Sequence, residues 1–152
     1  MKKLFILFGL LILSSFIQEQ RQAQKYKEFV LQADLFKQRE RQDTTIEFPH
    51  WGKSRKDSTL ITIRADSLVM IANEEKDSYK LIEILDRAEG IDLIDGDKWD
   101  GIMWVATDNS GVQVKLIVMK YVSGTVLITI TYGNVEYRYQ CRLFKKPYQR
   151  II

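Results

Sequence analysis

Thr125-Val126-Leu127-Ile128-Thr129-Ile130-Thr131-Tyr132-Gly133-Asn134-Val135-Glu136-Tyr137-Arg138-Tyr139-Gln140-Cys141-Arg142-Leu143 alternates along nearly its whole length. Up to Tyr132 the even positions are apolar or aromatic, with Thr between most of them; from Val135 the odd positions are. Alternation with period two is the mark of a strand with one dry and one wet face. Gly133-Asn134 suits a two-residue hairpin turn, which opposes Tyr132 to Val135, Ile130 to Tyr137, Ile128 to Tyr139 and Val126 to Cys141. Each apolar residue then meets an apolar one, so turn chemistry and register agree on a hairpin.

The same test works upstream. Val112, Val114, Leu116 and Val118 share a face in Val112–Met119. A two-residue turn at Ser123-Gly124 would set Val118 against Thr129. A three-residue loop, Val122-Ser123-Gly124, sets Val118 against Ile128 and Leu116 against Ile130, so the longer loop is predicted, with Gly124 left-handed. Asn109-Ser110-Gly111 likewise joins Gly101–Asp108 to Val112, opposing Trp104 to Leu116 and Ala106 to Val114. A four-stranded antiparallel meander over 101–143 results. Thr59–Arg64, Ser67–Ala72 and Tyr79–Leu85 also read as strands, joined by Ala65-Asp66 and by Asn73–Ser78; Ile91–Ile94 and Thr44–Phe48 are shorter candidates. Seven to nine strands at this spacing predict an all-β antiparallel sandwich or small barrel.

Before the strands, Tyr26, Phe29, Val30, Ala33 and Phe36 recur three or four apart among Lys, Arg, Gln and Glu. That spacing predicts one N-terminal helix over 24–41. Pro49 blocks any helix beyond it. The chain opens with Lys2-Lys3, fourteen uncharged residues from Leu4 to Ile17, and the polar Gln18–Gln22, the order of a secretory signal peptide. Fourteen helical residues reach about 21 Å at ~1.5 Å each, short of a hydrocarbon core roughly 30 Å thick. Arg21 and Leu13 fit poorly beside the small residues a cleavage site wants, so an uncleaved membrane tether through 4–17 is the alternative. The organisation is therefore 1–23 as signal peptide or anchor, 24–42 as helical leader and 43–150 as the β domain. The localisation expected is the periplasm, the cell surface or outside the cell, with a bacterial flavour.

Without residues 1–23 the chain keeps 20 basic and 19 acidic side chains, which argues against nucleic acid as a partner. Residues 66–108 carry 12 acidic and 4 basic groups, and 109–152 carry 1 acidic and 7 basic. Either the two halves lie together and neutralise one another, or the surface is bipolar and docks on a charged partner. Cys141 is the only cysteine, so no intramolecular disulfide forms.

Chemistry-bearing residues are few. Asp95, Asp97 and Asp100 lie in the densest acidic segment and are a weak calcium candidate. The calcium-loop pattern is missed by one residue, Ala106 stands where its last Glu belongs, and Lys98 intrudes; a solvated turn is the simpler reading. His50 is the only histidine; a zinc site around it needs thiol or carboxylate partners, and Cys141 is the only thiol it could pair with, for a metal or as a nucleophile. Alternation puts Cys141 on the apolar face as a small buried hydrophobe. No Gly-x-Ser-x-Gly and no glycine-rich phosphate loop occurs. Trp104, Tyr137 and Tyr139 fall on the inward face. Trp51 and Trp99 fall in predicted loops, where with His50 they either contact a ligand or partner or plug the end of the fold.

In layout alone, a signal followed by about eight strands resembles lipocalin-like barrels. Those carry Gly-x-Trp near the first strand; His50-Trp51-Gly52 stands here instead, so no ligand residues carry over. The reading is a non-enzymatic binding or interaction module without a cofactor, its partner a protein, a glycan or a small ligand. A lipocalin-like carrier of a small apolar ligand is the alternative, and a small enzyme the third class.

Overall fold

The computed structural model describes residues 28–40 and 50–144. The signal or anchor over 1–23 and the short strand expected at Thr44–Phe48 lie outside them. The described chain is all-β: β1 (Phe29–Glu40), β2 (Arg55–Lys56), β3 (Leu60–Ile63), β4 (Ser67–Ala72), β5 (Glu75–Ile91), β6 (Lys98–Asp108), β7 (Gln113–Tyr121), β8 (Thr125–Tyr132) and β9 (Val135–Leu143). Strands β1 and β3 to β9 pair antiparallel in chain order, and β1 pairs with β9. This closes an eight-stranded up-and-down barrel, with β2 as one extra strand against Leu35 and Phe36 of β1. The sandwich alternative is thereby removed.

The meander has the predicted registers. Tyr132 opposes Val135, Ile128 opposes Tyr139 and Val126 opposes Cys141. Val118 opposes Ile128 across the three-residue loop, with Gly124 at φ 96°. Trp104 opposes Leu116 and Ala106 opposes Val114.

The helix expected over 24–41 is corrected: its described part is β1, a twelve-residue strand. The cause is a bulge at Asp34, where the register with β9 steps from Ala33 to Leu35. Leu31 and Ala33 face the core, and after the bulge Phe36 continues the inward side, packing on Tyr137 and Tyr139. A bulge inserts one residue into a period-two pattern. The apolar step from Ala33 to Phe36 therefore becomes three and imitates a helical repeat.

Two further expectations shift. The connection drawn from Asn73 to Ser78 is only the turn Asn73-Glu74, and β5 runs from Glu75 to Ile91 rather than from Tyr79 to Leu85. Ile91 ends β5, and Asp92–Asp97 is a turn rather than a short strand. β5 also carries bulges at Ile82 and Leu85 against β6.

Leu31, Ala33, Ile61, Leu68, Met70, Tyr79, Ala106, Val114, Leu116, Val126, Ile128, Ile130 and Cys141 fill the barrel's waist. Eight strands enclose a bore that side chains can fill, and each fully buried Leu or Ile contributes roughly 1.5–3 kcal/mol relative to exposure. The outer face of β9 is drier than its alternation implied. Glu136 is 6 % exposed, covered through its ion pair with Arg39 of β1.

Candidate functional site

The two ends of the bore differ. At the end where β1 begins and β9 finishes, the inward rows of β1, β3, β6, β7 and β9 run on past their last fully buried residue. Leu31 is followed outward by Phe29, Ile61 by Ile63, Leu116 by Val118 and Cys141 by Leu143; Ile102 and Trp104 precede Ala106. Phe29, Leu31, Ile63, Ile102, Trp104, Val118, Val126 and Leu143 line an apolar cup of about 340 Å³. Its ionisable lining groups are Asp100 and Lys120, which face each other across β6 and β7. Gly101 and Gly124 complete the lining. The volume falls within the range of small-molecule sites, and the few polar groups sit beside an apolar interior as such sites require.

At the other end the bore is stoppered by rings. Tyr132 stands edge-on to Tyr137, and Phe36 stacks on Tyr137 and tilts against Tyr139. The Tyr132 and Tyr79 hydroxyls are hydrogen bonded at 3.2 Å, and Tyr132 donates to Asp108 Oδ2 at 3.2 Å. Burial, reinforced by the bond to Tyr132, pushes the Tyr79 hydroxyl far up in pKa. This end holds polar groups that satisfy one another, whereas the cup presents an apolar wall.

No family model, no curated protein and no solved structure matches the chain.

The residues singled out in the sequence occupy other positions. Trp51 lies against the outside of the barrel, its ring centroid 4.2 Å from the guanidinium carbons of both Arg39 and Arg138. These cation–π contacts lay the ring beside the buried Arg39–Glu136 pair, and Arg138 Nε donates to Thr129 Oγ1 at 3.1 Å. Burial, then the neighbouring Arg39 charge, lowers the pKa of Arg138. His50 is exposed next to Trp51. Trp99 sits in β6 rather than in a loop, its ring across Gly90 of β5. His50, Trp51 and Trp99 line none of the cup, whose tryptophan is Trp104.

Asp95, Asp97 and Asp100 do not come together as a cation site. Asp95 Oδ1 accepts from the Asp97 amide at 2.9 Å, Asp97 accepts from the Ser123 amide at 3.3 Å, and Asp100 lies in a strand beside the cup. Among the described residues no group of three His, Cys, Asp or Glu side chains is placed to hold a metal. Cys141 is 2 % exposed, and burial pushes its thiol up to about 12.

Asp100 was singled out for a different role and Trp104 was placed inward as core; the other cup residues were missed because none is unusual by type. A usable signal was present: along β6 to β9 the inward parity runs longer than one core layer needs. Closing that parity into a ring required β1 as a strand, which the bulge concealed.

Proposed function

We propose that this chain is an exported, non-enzymatic binding barrel that takes a small apolar ligand, or the apolar part of a larger one, in the cup. The observation that carries the reading is the open, almost wholly apolar cup at one end of a bore that tyrosine rings stopper at the other. Apolar burial rewards such an occupant in proportion to the area removed from water. Lys120 and Asp100 at the lining give a ligand's polar end a charged partner of either sign. The lining supplies shape and apolar surface, and its two ionisable groups form no nucleophile–base pair. Export rests on Lys2-Lys3 and the apolar run from Leu4 to Ile17; N-terminal sequencing of the mature protein checks it, and a start at Met1 removes the cleaved-signal version.

Titration with the uncharged probe N-phenyl-1-naphthylamine tests the cup. With Trp51→Phe and Trp99→Phe in the background, Trp104 is the only tryptophan left of three. Binding is expected to saturate at one probe per chain and to quench Trp104. Val118→Phe, which fills the cup, is expected to weaken it by about tenfold or more. A non-saturable signal, or full affinity in the filled variant, overturns the reading.

A further inference from the structure

Beyond Leu81, β5 leaves the barrel wall. Its pairing with β4 ends at Ser67 opposite Lys80 and is closed by the Leu81 amide donating to Asp66 at 2.8 Å. The strand nevertheless runs on to Ile91, paired with β6 on its other side. Among the described residues β5 touches no element but β4 and β6, so the β4-side edge of residues 82–91 carries backbone donors and acceptors that no neighbouring strand pairs; of these residues' amides, that of Arg87 donates locally to Asp86 Oδ1 at 2.8 Å. An open edge of this kind is a template for another strand.

Two properties of the β5–β6 hairpin say what fits. Six of the eleven exposed large apolar side chains among the described residues are on it: Ile82, Ile84, Leu85, Ile91, Leu93 and Ile94, the last two 99 % and 97 % exposed. Charges and bulges alone would guard an edge against pairing; exposed Ile and Leu at this density do not. Residues 82–100 also hold seven carboxylates against Arg87 and Lys98, a net charge of −5. A second copy paired edge to edge would set −5 against −5, and like charges across strands are destabilising.

We infer that the 82–91 edge of β5 accepts a basic, extended segment of another protein as an added strand. Main-chain hydrogen bonds hold it, its apolar side chains meet Ile84 and Ile91 on one face of the strand, and its lysines or arginines face Glu83 and Asp86 on the other. This site lies outside the cup and does not depend on it.

The test uses the full chain and short blocked peptides that alternate lysine and valine, followed by fluorescence anisotropy and by amide hydrogen exchange. The lysine peptide is expected to bind and to protect amides in 82–91; its glutamate counterpart is expected to bind about tenfold more weakly or not at all. Added salt is expected to weaken the complex. Alternate amides of a strand point to opposite edges, so of two lysine peptides N-methylated at every second residue in the two phases, one is expected to lose binding and the other to keep it. Joint replacement Glu83→Lys and Asp86→Lys, both exposed side chains on one face, is expected to reverse the peptide preference. Equal binding of both N-methylated peptides reduces the surface to an ionic patch and overturns the inference. So does equal binding of the glutamate peptide, or self-association that displaces the lysine peptide.

Discussion

Glu74 stands at φ 72° beside Asn73 at φ 48°. Together they turn the chain from β4 to β5, where Ala72 opposes Glu75. Positive φ at both central residues is the type I′ hairpin turn, whose twist matches that of the strands. Asn enters this region readily; a residue with a longer side chain pays about 1–2 kcal/mol for the close approach of its Cβ and carbonyl. Glu74→Gly is therefore expected to stabilise the fold by roughly 0.5–1 kcal/mol, part of the relief being offset by the entropy of an unfolded glycine. A higher urea midpoint at unchanged slope is the expected result. The same residue explains a misreading: Asn73-Glu74 lacks the glycine that announces this turn, so the sequence suggested a loop as far as Ser78.

The β5–β6 hairpin shows how an element is held outside a core. Trp99 lies over Gly90, where an added Cβ would stand 2.6 Å from Cζ2 and 2.8 Å from Cε2 of the ring. The glycine opens a gap in the strand surface that the indole covers from the neighbouring strand, a device that rescues glycine in sheets. Gly90→Ala is expected to displace the ring, shift tryptophan emission to the red and lower stability by about 1–3 kcal/mol through overpacking. An unchanged spectrum would show the ring to be held by something other than this contact. β1 makes the complementary point: the bulge at Asp34 lets one strand serve β3 with its first residues and β9 along most of its length.

Closure gathers three acidic protons into one interior. Cys141, Tyr79 and Tyr139 all have raised pKa values, burial being the largest cause for each. In the unfolded chain these groups ionise near 9 for the thiol and 10 for the phenols. Above those values the unfolded state has released protons that the native state still holds. Stability from these groups is thus fully present below about pH 9 and falls as pH rises, by up to ~1.4 kcal/mol per pH unit per group. Urea midpoints measured upward from pH 8 are expected to decline from about pH 9, more steeply past 10. Cys141→Ala is expected to remove the earlier part of the decline; a flat profile would mean that these groups are wet.

By itself the sequence determined the meander from β6 to β9, including both three-residue loops and the pairing of Val126 with Cys141, because alternation and turn length act over neighbouring residues. The inward placement of Trp104 followed from the same parity. Tertiary structure alone decided that β1 is a strand, since its pairing with β9 joins residues about a hundred positions apart and a bulge masks its period. It also decided that Glu136 is buried, that Trp51 lies across two arginines, and that the inward rows end in a cup. A cup belongs to no single strand: it exists where several walls pass the last packed layer together, and that is settled only when the barrel closes.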